Sequence, residues 1–374
     1  MEHLGRPGRL GRRAWGAFVV VVAAAIALLP LPAETVERTF SVVLYPPVQR
    51  VATGISNLVP VAFLDILLAL TLFWLVRLLL WTRTRAHTTG WPGALTAACG
   101  RLVVMTAGLY LCFALVWGLN YRRVPLVGKL EVEQRTIGPA DLERLGRRAV
   151  SELNALHDRA HARGWSSPEW RSSELVEAAG RVQVMLGAAR AATPGRLKHS
   201  ILGPYFRWTS IDGMINPFGL DVLVNPDLLP YERPFVAAHE WAHLAGYADE
   251  SEASFVGFLT CMSGGAPAQY SGYLFLYWQV ASDADPAVRR LIDRALADGP
   301  RADVQAIVTR VETGRFQGLQ RASWGVYDQY LKANRVEAGV RSYGLVLDLL
   351  ARATSQTDWT VRRRDALGRE VSRR

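Results

Sequence analysis

The sequence predicts a mainly α protein in two parts. Transmembrane helices occupy residues 1–120, and a mainly helical α+β domain with a small β element fills residues 121–374. Three features carry this reading. Three apolar runs precede residue 121, polar helical periodicity replaces them afterwards, and one aromatic, β-branched stretch near residues 205–230 is punctuated by Gly and Asn-Pro.

The first run, residues 15–31, is uncharged; the second, 61–81, carries only Asp65 and Arg77; the third, 102–119, is uncharged. Each approaches the roughly 20 residues a helix needs to cross about 30 Å of hydrocarbon. Asp65 and Arg77 lie near opposite ends of the second run, where their side chains can snorkel to the interface. That accounts for them more simply than an ion path does. Arg6, Arg9, Arg12 and Arg13 precede the first run, and Arg83, Arg85 and Arg101 separate the second from the third. The loop between the first two holds only Arg38 and Arg50, offset by Glu34 and Glu37. This pattern predicts a multi-pass protein of the cell membrane, N-terminus inside and C-terminal domain extracytoplasmic, although Arg122 and Arg123 pull the other way. The first run also reads as a cleaved signal peptide, which leaves the C-terminal domain on the same side.

Half the residues are hydrophobic, and 43 Lys and Arg against 33 Asp and Glu give a formal charge of +10. The excess sits in "RPGRLGRR" and "VRRRDALGREVSRR", which points to membrane lipid and topology rather than nucleic acid. The sequence has no base-reading motif. Cys99, Cys112 and Cys261 build neither a disulfide framework nor a thiolate zinc site.

In the second part, "GPADLERLGRRAVSELNALHDRAHARGW" predicts a helix opened by Pro139 and stopped by Gly164. Residues 173–192 predict another. "YFRWTSIDGMINPFGLDVLVNPDLLP" predicts one or two short strands with a turn near Asn216-Pro217. The chain from Arg233 onward is mostly helical, with loops expected near Gly264-Gly265 and at residues 298–301.

The motif "HEWAH" places His239 and His243 four apart, so on a helix both imidazoles reach one Zn²⁺. Glu240, about 100° around the helix, is placed to take a proton from water at the metal rather than to ligate it. Pro234 suits the first turn, and Phe235, Val236, Ala237, Ala238, Trp241, Ala242, Leu244 and Ala245 make the helix apolar nearly all round. Such a helix is buried, and polar groups within it need partners. A second pair at the same spacing, His157 and His161 in "HDRAH", sits among Glu152, Asp158, Arg159 and Arg163 and predicts a solvated face.

Three acids follow the motif. Gly246 suits the left-handed end of the first helix, Asp249 suits the N-cap of the next, and Glu252 completes a capping box with it. Glu250 is left as the favoured third ligand, on a face of small residues (Ala253, Ser254, Gly257, Cys261) that permits close helix approach. Glu252 and Asp249 remain alternatives; "HEWAHLAGYAD" also fits the metzincin spacing with Asp in place of His.

Together "INPF", "HEWAHLAGYADESEASFVGFL", "YSGYLF" and "VYDQYLKANRVEAGVRSYGLVLDLL" resemble an uncharacterised bacterial family of membrane-anchored, zincin-like proteins, a domain of unknown function. The resemblance covers nearly the whole chain. It implies a zincin-like α+β domain and a gluzincin-like site in which Glu250 is the third ligand, with Ser254 where that pattern usually has Asn. Zinc hydrolases also need a donor for the developing oxyanion. Tyr270 and Tyr273 are the expected candidates, with Tyr327 and Tyr330 behind them.

The expected function is that of a membrane-anchored zinc metallopeptidase, an HExxH hydrolase whose substrate is a peptide or protein of the cell envelope. The β segment would receive an extended peptide by strand addition. Two alternatives use the same residues differently: a zinc hydrolase of a non-peptide envelope amide, and a non-catalytic, zinc-stabilised membrane interaction module. Spans with so little internal polarity offer no transport path.

Overall fold

The computed structural model describes residues 9–133, 135–165, 173–334, 345–354 and 358–364, with side chains from residue 14 onward. The expectations resting on Arg6, Arg9, Arg12 and Arg13, on most of the basic C-terminal tail and on residues 335–344 lie outside these residues or side chains.

Helix α1 (Arg9–Leu28) ends where Pro30 and Pro32 cannot continue it. Then α2 (Ala33–Val36) runs through a π-helical stretch, Glu37–Leu44, into α3 (Tyr45–Asn57), turned 119° from α1. The apolar runs predict a loop between spans over residues 32–60. Instead α3 buries a polar face, Tyr45, Gln49, Thr53 and Ser56, against the rest of the chain. The Tyr45 hydroxyl donates to Leu244 O at 2.8 Å, Gln49 Nε2 to Thr193 O at 2.8 Å and Thr53 Oγ1 to Leu220 O at 2.8 Å. A helix that buries hydrogen-bonding side chains has no hydropathy signal, which is why the pattern hid it.

Helix α4 (Phe63–Val116) joins the second and third apolar runs, with a break at Gly90 (φ 72°, ψ 161°) just before Pro92. The break reverses the chain. The Arg101 guanidinium stacks 3.5 Å over the Trp81 ring, although twenty residues of straight helix would separate them by about 30 Å. Both ends of α4 return to one turn: Phe63 abuts Gly219, and the Phe113 ring lies 6.4 Å from Phe218. Asp65 does not snorkel. Its carboxylate accepts from Ser200 Oγ at 2.5 Å and Ile201 N at 3.1 Å. By length and composition α4 can cross a membrane, and α1 with α2–α3 forms a second, bent candidate.

Beyond two short 3₁₀ turns come α5 (Pro139–Arg163), stopped by Gly164 at φ 73° as expected, and α6 (Ser173–Met185). The latter is shorter than predicted because Gly187, at φ 100°, turns the chain. The β element has three strands: β1 (Leu197–Lys198), β2 (Gly213–Asn216) and β3 (Asp221–Val224), with α7 (Gly203–Thr209) between the first two. The order is β1-β3-β2, with β1 parallel and β2 antiparallel to the central β3. The predicted turn at Asn216-Pro217 connects β2 to β3.

The remainder is helical: α8 (Arg233–Leu244), α9 (Glu250–Met262), α10 (Ala266–Asp283), α11 (Pro286–Ala295), α12 (Asp298–Gly314), α13 (Gln317–Ala333) and α14 (Leu345–Ala353). The loop expected at residues 298–301 is the first turn of α12. One core packs α5, α9, α10 and α14 around Leu153, Leu156, Phe255, Phe258, Leu276 and Leu350. A second joins Val36, Phe40, Tyr45 and Trp117 of the N-terminal part to Val222, Val236, Trp241 and Leu244. Helix α8 contributes to both, so the N-terminal segment and the β element position it together.

Candidate metal centre

Pro234 opens α8, and every residue from Val236 to Leu244 except His239 is buried. The chain leaves α8 through Gly246 at φ 88°, a conformation that favours glycine. It then enters α9 with Asp249 as N-cap, whose carboxylate accepts from Ser251 N at 2.9 Å and Glu252 N at 3.2 Å. The capping box is absent. Glu252 turns away and accepts from the Leu126 backbone N–H, a tertiary partner that no local pattern reveals.

Helices α8 and α9 meet at Gly257. A Cβ there would lie 3.0 Å from His239 N and 3.1 Å from its Cα, backbone atoms that cannot yield. Gly257→Leu is therefore expected to lower the thermal midpoint, costing about 1–3 kcal/mol or more by overpacking, and to weaken zinc uptake in a titration. Wild-type values for both would remove Gly257 from this account.

At this crossing His239, His243 and Glu250 converge. His239 Nε2 and His243 Nε2 are 3.1 Å apart, and each is 3.3 Å from Glu250 Oε2. A tetrahedral Zn²⁺ with bonds of about 2.0–2.1 Å holds its ligand atoms about 3.3 Å apart. The donor set is also prepared electronically. His243 Nδ1–H donates to Tyr247 O at 2.7 Å, which turns Nε2 inward. Ser254 Oγ lies 3.2 Å from His239 Nδ1, so Ser254 supplies the contact for which Asn was expected. The Tyr327 hydroxyl donates to Glu250 Oε1, and Oε2, buried and without a hydrogen-bond partner among the described residues, points at both imidazoles. These residues fit a divalent transition metal.

Burial drives the charge states here. Glu240 is buried with Oε2 unpartnered, and burial, reinforced by the charges of Glu250 and Asp212, pushes its carboxyl up to about 8 against the pull of His243. Burial also lowers His239. His243 is raised to about 9 despite its own desolvation, chiefly by the charge of Glu250 3.3 Å away and further by that of Glu240. Glu250 is held well below the carboxylate range, the two imidazoles overcoming its burial. Gly213 of the edge strand β2 faces Glu240 so closely that a Cβ would stand 2.7 Å from Oε1.

The last carbonyls of α8 are closed by the N-terminal part: Trp117 Nε1 donates to His243 O at 3.1 Å, and Tyr45 to Leu244 O. Neither expected oxyanion donor reaches the cluster. Tyr270 gives its hydroxyl to Asp303, and the Tyr273 hydroxyl accepts from Trp359 Nε1 at 3.0 Å. Tyr327 on α13 occupies the site instead, stacked on Tyr330 at 5.9 Å. The sequence reading also missed Arg310, which bridges Asp212 at 3.0 Å and Glu232 at 2.5 Å beside α8. Arg310 lies in an ordinary amphipathic stretch that carried no signal.

Fold and site thus define a mainly helical protein with a buried His₂Glu cluster held between two closely crossed helices. The chain belongs to the family described as protein of unknown function (DUF3810), which matches residues 40–351. No curated protein and no solved structure matches it.

Proposed function

We propose that the chain is a membrane-anchored, zincin-like metallopeptidase that cleaves peptide bonds in the cell envelope with Zn²⁺ held by His239, His243 and Glu250. The triangle of Nε2, Nε2 and Oε2 atoms at 3.1–3.3 Å carries this reading. When bound, Zn²⁺ supplies Lewis acidity, polarising a carbonyl and acidifying water.

The chain's own residues do the rest. His239 and His243 bind through Nε2 with their Nδ1 atoms anchored, and Tyr327 orients Glu250. Glu240 takes a proton from the attacking water and delivers it to the leaving amine. Its buried Oε2, without a hydrogen-bond partner among the described residues, leaves the carboxylate available to accept and release that proton. Strand β2 pairs with β3 on one side only, and Gly213 brings its backbone against Glu240, so its free edge suits an extended peptide. This favours a peptide over a compact amide.

The membrane reading rests on α4. Leu70, Leu72 and Phe73 are 60–65% exposed along it, an apolar surface suited to lipid. With the reversal at Gly90, its two arms supply two spans and α1 a third, with the catalytic domain extracytoplasmic.

The deciding experiment is zinc content and peptide hydrolysis of the detergent-solubilised full chain beside Glu250→Ala. Glu250→Ala is expected to lose the zinc bound at this centre and all turnover. Turnover, together with zinc content equal to that of wild type, would sink the assignment.

A further inference from the structure

The second histidine pair keeps part of the solvated face that its local charge pattern predicts, with His161 exposed and His157 half-buried, but both imidazoles turn toward Asp303 of α12. We propose that His157 and His161 of α5 and Asp303 of α12 form a second divalent transition-metal site, a structural staple between those helices.

One ligand atom from each of the three lies within 4.8 Å of the others. The imidazoles sit side by side with centroids 4.3 Å apart, and Asp303 Oδ2 is 2.9 Å from His161 Nε2 and 3.8 Å from His157 Nε2. Asp303 is buried, and its carboxylate is fixed from outside the trio. The Tyr270 hydroxyl donates to Oδ2 at 2.5 Å, and the Tyr231 hydroxyl to the Asp303 carbonyl at 3.2 Å. Gly299, one turn earlier on α12, backs the His157 ring so tightly that a Cβ would stand 2.5 Å from Cε1. Trp165 stands edge-on to His161 at 5.4 Å. The ligand positions are held before any ion arrives.

The outer hydrogen bonds orient the ligand atoms inward. His157 Nδ1 is 2.8 Å from Asp158 Oδ1, and since an ionised carboxylate only accepts, Nδ1 carries the proton there. His157 Nε2 is then the nitrogen turned toward the Asp303 carboxylate, 3.8 Å away, beside His161 Nε2 at 2.9 Å, a spacing that leaves room for an ion among the three ligand atoms. The Asp158–His157 pair is the carboxylate–imidazole arrangement that orients ligating histidines and raises their basicity. Two imidazoles and one carboxylate suit Zn²⁺ and its borderline neighbours rather than Mg²⁺ or Ca²⁺. Because α12 also carries Arg310, the staple fixes the helix that holds Asp212 and Glu232 beside the first centre.

The test uses the full chain in detergent, stripped by a chelator and titrated with Zn²⁺ alone. Wild type is expected to bind two equivalents and His157→Phe, which keeps the ring's shape, one. In a His239→Ala/His243→Ala background, zinc is expected to raise the thermal midpoint, and adding His157→Phe or Asp303→Asn abolishes that rise. Equal stoichiometry in wild type and His157→Phe, or a rise that survives both substitutions, overturns the second site. Neither result touches the first centre, whose own failure is read separately in Glu250→Ala.

Discussion

Glu240→Gln is expected to keep zinc at wild-type stoichiometry while peptide hydrolysis falls by about 10²–10⁴-fold, the range a lost general base costs. The separation follows from geometry. The ligand triangle is closed by Glu250 Oε2, and both Glu240 oxygens stand outside it. The amide fills the same space against Gly213, so the crossing of α8 and α9 is undisturbed. It cannot, however, take a proton. It also removes an ionisable group whose buried Oε2 has no hydrogen-bond partner among the described residues, so the thermal midpoint should hold or rise. Turnover at the wild-type rate would refute the base assignment. Loss of zinc together with turnover would make Glu240 part of the binding site instead.

What the sequence showed of this centre was its local part. His239 and His243 follow from helical spacing, Gly246 from the backbone it must adopt, and Asp249 from N-cap chemistry. The small face of α9 follows from the residues themselves, and the contact at Gly257 is the close approach they permit. Glu250, one residue past that N-cap, is the acid of the three whose carboxylate meets both imidazoles. Glu252 is engaged by Leu126 N–H and not by a capping box, a tertiary partner that no local pattern carries.

The rest depended on elements distant in the chain. Tyr270 and Tyr273 were chosen because they closely follow the ligand helix, yet the tyrosine at the cluster comes from α13, 77 residues after Glu250. Chain proximity is a poor guide where helices cross. "HDRAH" was judged by its neighbours on α5, and its decisive neighbour, Asp303, lies on α12. Hydropathy found the apolar runs but not the arms of α4 or the buried polar face of α3. In the first case nothing between residues 82 and 89 breaks a helix; in the second the face is made of hydrogen-bonding groups.

Asp221→Ala is expected to cost about 3–5 kcal/mol, among the largest single losses available in this fold, because it strips one partner from a fully buried ion pair. Asp221 begins β3, and its side chain and that of Lys198 on β1 are both entirely buried, 3.5 Å apart. Burial pulls the Lys198 ammonium down, and the Asp221 charge is what opposes it. The same carboxylate accepts from Asn216 Nδ2 at 2.8 Å and from Phe63 N at 2.8 Å, and so joins the β2–β3 turn to the first residue of α4. Lys198→Met should cost less, since Asp221 keeps those two donors. Lys198 Nζ keeps Ser56 Oγ and Val61 O as acceptors but loses its counter-charge in Asp221→Ala; the double substitution removes that uncompensated charge, so its midpoint should lie nearer Lys198→Met than additivity allows. Thermal melts of the four detergent-solubilised proteins measure this, and strict additivity would show that the pair does not act as a unit. The consequence reaches the metal centre. Among the described residues β3 is the strand that β2 pairs with, and β2 faces Glu240 through Gly213, so loosening Asp221 loosens the edge strand proposed to receive substrate. Asp221→Ala should therefore raise KM for peptide at temperatures where the protein remains folded and its zinc content is unchanged.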